Sequence, residues 1–120
     1  MIEQLLLFCR FFPPGADRYG TTKAALISLA SQLVAEHGSK GIRVNAVSPG
    51  PVLFVGGVWD QIRTAHPQLF GRAAQLPALG RCGRPEEVAD AMAFLVSPRV
   101  SYITGANLRI DGAAVKTLNY

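Results

Sequence analysis

The stretch Ile42-Arg43-Val44-Asn45-Ala46-Val47-Ser48-Pro49-Gly50-Pro51 decides the fold. Residues Ile42 to Val47 are short-spanned and β-branched, with Gly41 before them and Pro49-Gly50-Pro51 after, which predicts a strand with an abrupt end. Apolar residues fall on both of its faces, the pattern of a strand covered on both sides in a parallel sheet. The preceding segment, Arg18 to about His37, has a different period. Ala25, Leu26, Leu29, Ala30, Leu33 and Val34 recur at spacings of three and four and form one helical stripe. Ala24, Ala25, Ala30 and Ala35 keep parts of that helix small enough for close approach. Asp17 places an acid near its start, and Gly38 and Gly41 stop it.

Downstream, Pro85-Glu86-Glu87 opens a second helix, with proline at the first position and acids in the first turn. Val88, Ala89, Met92, Ala93, Leu95 and Val96 give it an apolar face, and Ser97-Pro98 ends it. Ala106 to Ile110 reads as a last strand, with Asp111-Gly112 as its turn. Between these, Leu53 to Leu79 is weakly patterned: a loop bounded by Gly57, a helix around Trp59 to Ala65, then Pro67. At the other end, Met1 to Phe12 is an apolar run that fits a short strand or a helix, broken by Pro13-Pro14-Gly15. The order helix, strand, irregular segment, helix, strand predicts an α/β class with a parallel sheet. Two strands make a poor sheet by themselves, so Val44–Val47 is expected to expose an edge that recruits partners.

At 120 residues the chain is at most one domain, long enough to bury a core. Half of it is apolar and only 17% is charged, which excludes a disordered chain. The net charge of +4 comes from scattered arginines rather than a basic patch, so no nucleic-acid partner is expected. Cys9 and Cys82 are lone thiols, away from His37 and His66; a reduced, cytoplasmic protein without a metal site is the expectation. The apolar Leu5-Leu6-Leu7-Phe8-Cys9 is preceded by Glu3 and interrupted by Arg10. It is too short for a leader core or a membrane span, and no membrane association is expected.

The chemistry sits at the start of the long helix, in Tyr19-Gly20-Thr21-Thr22-Lys23. A phenol and an ammonium four residues apart share one helical face. A free tyrosine titrates near pKa ~10, and a neighbouring cation favours the phenolate and lowers that value. Such a pair suits proton exchange with a carbonyl or alcohol.

Taken in order, this pentapeptide, Asn45-Ala46-Val47-Ser48-Pro49-Gly50, Gly80-Arg81-Cys82-Gly83-Arg84-Pro85-Glu86-Glu87-Val88-Ala89, Tyr102-Ile103-Thr104-Gly105 and Asp111-Gly112 resemble the C-terminal half of the short-chain dehydrogenase/reductase family. The resemblance implies a partial Rossmann-like, doubly wound fold over residues 17–114, after an atypical segment 1–16 and before a tail 115–120. It implies NAD or NADP as cofactor and a small carbonyl or alcohol substrate. Tyr19 would be the general acid/base. Lys23 would lower its pKa and hydrogen-bond the nicotinamide ribose. Pro49, Gly50 and Val52 would lie against the nicotinamide, Val52 offering its amide and carbonyl to the carboxamide. The segment Leu53–Leu79 would be a variable lid over the substrate, with Trp59 and Phe70 as pocket or core aromatics. Asn45, Arg84, Glu86, Glu87 and Tyr102-Ile103-Thr104-Gly105 would be structural.

Three departures temper the implied activity. The family's serine, about a dozen residues before the tyrosine, has no counterpart, since that region reads Leu5-Leu6-Leu7-Phe8. Loss of such an oxyanion donor costs on the order of 10²–10³ in rate. No glycine-rich phosphate turn follows a strand in these 120 residues. Phe54 stands where a hydroxyl usually follows the Pro-Gly turn. The expectation is an oxidoreductase half, truncated and weakly active or inactive alone. The alternative is a non-enzymatic remnant that binds partners: further copies of itself or a full-length relative.

Overall fold

The computed structural model describes residues 4–8 and 17–116, with side chains from Thr21 onward. Strand β1 is Gln4–Phe8, helix α1 Asp17–His37, β2 Arg43–Pro49, α2 Val58–Ala65, α3 Pro67–Gln75, α4 Pro85–Val96 and β3 Asn107–Ile110. Single 3-10 turns occupy Gly38–Lys40 and Pro98–Val100.

The three strands form one parallel sheet in the order β1-β2-β3. Leu5 pairs with Val44, and Phe8 with Val47; Ala46 pairs with Asn107, and Pro49 with Ile110. Part of the segment set apart as atypical thus enters the sheet as β1. β2 is its centre rather than an exposed edge, which corrects the expectation for Val44–Val47. The reason is visible in its composition: Arg43 to Ser48 are all buried, and only a strand flanked on both sides and covered on both faces achieves that.

Period two sorts β2 onto its two coverings. Val47 meets Val88 and Leu95 of α4, with Met92, Ile103, Leu108 and Ile110 packed around them. The other face, Val44, Ala46 and Ser48, is closed by α1, whose Ala30 is buried. The result is three layers, helix on sheet on helix, the doubly wound α/β arrangement expected from the sequence.

Local chemistry fixes the helix ends. At the start of α4 the Glu87 carboxylate accepts the Arg84 backbone N–H (2.8 Å) and both terminal nitrogens of Arg81 (2.9 and 2.6 Å). These residues act as helix-start groups, as read from the sequence. The helix expected around Trp59 is α2. Pro67, read from the sequence only as the residue that follows this helix, opens α3: at a first helical position its missing N–H costs nothing. α2 and α3 pack mainly on each other.

Candidate active site

In open α/β sheets, ligands sit beyond the carboxyl ends of the strands. Here that edge is built from the turn after β2 and the turn after β3. The Gly50 N–H donates to Ile110 C=O (3.0 Å), which locks the two turns together. A Cβ on Gly50 would lie 2.8 Å from both Cα and Cβ of Asp111, so only glycine fits this approach. Asp111 in turn holds its own loop: its carboxylate accepts the N–H groups of Ala113 (3.0 Å) and Val115 (3.1 Å). Gly112 and Ala113 carry the positive φ values that the turn requires, 57° and 60°.

Beyond Gly50, Pro51 is buried and Val52 forms a parallel bridge with Gly83. The Gly83 N–H donates to Pro51 C=O (2.9 Å), and the Leu53 N–H donates to Gly83 C=O (3.0 Å). In a parallel bridge these flanking groups are consumed, so Val52's own N–H and C=O point to the opposite side. They are the backbone donor and acceptor that a planar amide needs. Next, the Phe54 ring folds over Gly57, where a Cβ would meet ring carbons at 2.8 Å. The ring stays half exposed and offers no hydrogen bond.

Pro49, Gly50 and Val52 are therefore brought together in one rigid turn. Tyr19 and Lys23 lie on α1, the helix packed against β2. The Lys23 side chain is half-buried and engaged in an interaction of its own. The Tyr19 side chain lies outside the described residues. Asn45 behaves as a structural residue: its amide donates to Ile103 C=O (3.0 Å), and its carbonyl oxygen accepts the Ala106 N–H (3.0 Å). Thr104 is likewise structural, its hydroxyl oxygen accepting the Val44 N–H (3.0 Å). Trp59, on α2, and Phe70, on α3, are both half-buried.

Sequence reasoning missed Arg43, counting it among scattered charges. It is only 4% exposed. Its Nη1 donates to Leu95 C=O (2.9 Å) and Ile103 C=O (3.1 Å), and its Nη2 to Ser97 C=O (3.4 Å). The guanidinium thus satisfies two carbonyls at the end of α4, where the helix dipole is negative, and ties them to the turn at Ile103. The available signal was its place on the Asn45–Val47 face of a strand buried on both sides. Ser48 was missed too; its hydroxyl donates to Asn107 Oδ1 (2.7 Å) on the α1 side of the sheet.

The electrostatics near this edge are local. The Arg81 hydrogen bond, with the Arg84 N–H behind it, pulls the Glu87 carboxyl down to about 2. Partial burial pushes the Cys82 thiol up, away from the reactive thiolate. Among the described residues, no group of three or more His, Cys, Asp or Glu could hold a metal ion. No described helix is long and apolar enough to cross a membrane.

Comparison with known proteins places this geometry. The family model described as enoyl-(acyl carrier protein) reductase matches residues 9–113. Isoepoxydon dehydrogenase of Aspergillus clavatus is 44% identical over 100 residues, which are 83% of this chain and 38% of that protein. Galactitol 2-dehydrogenase (L-tagatose-forming) of Cereibacter sphaeroides is 40% identical over 100 residues, with the same shares of 83% and 38%. The NADP-bound crystal structure of angucycline C-6 ketoreductase LanV superposes with a TM-score of 0.83 at 30% identity, covering 95% of this chain and 44% of that one. The chain therefore spans about two-fifths of the length of the curated relatives it matches. With its matched motifs, its parallel three-layer fold and these relatives, the chain belongs to the short-chain dehydrogenase/reductase family.

Proposed function

We propose that this chain carries the acid/base and nicotinamide-facing half of an NAD(P)-dependent oxidoreductase that interconverts a small carbonyl compound and its alcohol. The observation that carries the reading is the Pro49–Val52 turn. It is held rigidly at the carboxyl edge of the sheet, and the backbone amide and carbonyl of Val52 face away from the Gly83 bridge. The bare Cα of Gly50 lets a flat ring come close, and Val52 supplies a donor and an acceptor for a carboxamide. When bound, the nicotinamide supplies or takes up the hydride.

The other roles fall to α1. Tyr19 exchanges the proton with the substrate oxygen. Lys23, one turn on, favours the phenolate and hydrogen-bonds the ribose. Pro49 fixes the turn through its restricted φ. NADP is named for the LanV structure, and the choice between NAD and NADP is open for this chain. Its 120 residues hold no glycine-rich phosphate turn and no serine before Ser28. Alone, the chain binds the dinucleotide weakly and turns over slowly or not at all.

A chimera tests the roles. Residues 17–114 replace the matching segment of galactitol 2-dehydrogenase, and NAD(P)-linked turnover is followed by nicotinamide absorbance. Tyr19→Phe should cut kcat by roughly 10²-fold or more, the scale of general acid/base catalysis, with cofactor affinity little changed. A chimera that stays fully active with Tyr19→Phe removes the reading.

A second reading is favoured by the exposed apolar side chains of Phe94, Val96 and Tyr102 at the end of α4 and after it. In it the chain works as a partner-binding module, joining further copies of itself or a full-length relative.

A further inference from the structure

At the junction of α2 and α3 lies an open surface pocket of about 520 Å³, lined by Ala65, His66, Pro67, Gln68, Leu69 and Arg72, all of them exposed. Its wall is mixed: Ala65, Pro67 and Leu69 are apolar, and the polar groups are the Arg72 guanidinium, the His66 imidazole and the Gln68 amide. No carboxylate lines it. The neighbouring arginine on α2, Arg63, is already committed to Asp60 across one helical turn. Arg72, by contrast, has no hydrogen bond or ion pair with any described residue. A guanidinium presents five N–H donors in a fixed fork that matches the paired oxygens of a carboxylate, sulfonate or phosphate. An unpaired guanidinium at the rim of an open, partly apolar pocket is charge-complementary to a small organic anion.

We propose that this cavity binds an organic anion: a carboxylate, sulfonate or phosphate head held by Arg72 and His66, with an apolar body along Ala65, Pro67 and Leu69. The pattern is asymmetric. Arg72 fixes the head, the imidazole N–H adds a second donor, and the apolar wall discriminates against bare inorganic anions. As the anchor of a substrate, the cavity rests on the hydride-transfer reading given above. As a binding site it does not, because α2 and α3 build it without Tyr19, Lys23 or the Pro49–Val52 turn.

The test uses the full 120-residue chain and needs neither cofactor nor turnover. Hexyl phosphate, hexanesulfonate, hexanol and inorganic phosphate are titrated by calorimetry, with amide shifts followed by NMR. Saturable binding of hexyl phosphate or hexanesulfonate is expected, at least about tenfold tighter than hexanol or inorganic phosphate, with shifts confined to residues 65–72. A tenfold preference is the lower end of what a charge-assisted hydrogen bond supplies. Arg72→Ala should weaken binding by about tenfold or more. Arg72→Lys, which keeps the charge but loses the fork, should weaken it less. Both substitutions are at an exposed position, and unchanged amide spectra outside α2 and α3 verify the fold. Equal binding of hexanol and hexanesulfonate overturns the proposal. So does anion binding that is indifferent to Arg72→Ala, or the absence of saturable binding. None of these results bears on the chimera assay, so the two readings stand or fall separately.

Discussion

Single residues at two places carry more of this fold than their size suggests. Gly50 is the first. Its bare Cα lets the turns after β2 and β3 touch, and any Cβ would meet the Asp111 backbone at 2.8 Å. Backbone atoms cannot swing aside as a side chain can. Gly50→Ala should therefore destabilise the chain by about 1–3 kcal/mol, the usual cost of overpacking, seen as a lower urea midpoint at constant m-value. An unchanged midpoint would mean the two turns are not in register. Arg43 is the second. It is a buried cation whose terminal nitrogens donate to three carbonyls rather than to an acid, while its buried Nε has no hydrogen-bond partner among the described residues. Removing it strands those acceptors and leaves a void. Arg43→Ala should cost about 3 kcal/mol or more, given roughly 1–3 kcal/mol for each buried polar group left unpaired. Arg43→Lys should recover part of that, since an ammonium can reach fewer carbonyls in this geometry. If both variants melt like the parent, the guanidinium is not holding α4 to the turn at Ile103.

Among the elements, α4 shows how much was legible and why. Its start was readable because Pro85-Glu86-Glu87 is a local signal, and local signals are set by sequence neighbours. The ladder that Glu87 makes with Arg81 and Arg84 gives it a testable pH signature. Its folded carboxyl is pulled down to about 2, chiefly by the Arg81 hydrogen bond, below its unfolded range near pKa ~4.3. Its contribution is therefore present above the unfolded value and is lost as pH falls from there toward the folded one. Glu87→Gln should flatten the stability profile between about pH 4.5 and pH 2 and leave its shape near neutrality unchanged. A parent and variant with parallel profiles across that window would remove the ladder from the account. The end of α4 was not readable, since its cap is a guanidinium from 52 residues upstream. β1 was ambiguous because a run as short as Leu5-Leu6-Leu7-Phe8 fits a strand or a buried helix equally, and only pairing with β2 decides. The layering was hidden for a related reason. The strands advance in one direction while α1 and α4 lie on opposite faces, so the two crossovers have opposite hands. The connection from β2 to β3 is long enough to include α2 and α3, and periodicity carries no sign of which face it crosses. The Pro49–Val52 turn was legible as a turn because its residues are contiguous in sequence. The surroundings of Arg72 were not, because that pocket is made where two helices meet.

At the scale of the whole molecule, large apolar side chains stand exposed at and after the end of α4, where Phe94 and Val96 are about half exposed and Tyr102 fully so. Exposed apolar groups of this kind on a small protein mark a contact surface or an aggregation hazard when they cluster. Among the described residues β1 and β3 are the edge strands of the sheet, and edge strands offer backbone donors and acceptors to a partner. Association should follow, so sedimentation velocity is expected to give a mass above 12.8 kDa that rises with concentration. Phe94→Glu combined with Tyr102→Glu tests where the contact lies. Tyr102 is fully exposed and Phe94 about half, so folding should be affected only modestly, while a charge in a desolvated interface core is costly enough to shift the mass toward the monomer. If the double variant associates like the parent, the sheet edges and not the α4 patch bring copies together. A parent that stays monomeric at every concentration would show that these exposed apolar side chains are tolerated in water, and the partner-binding reading would lose its support.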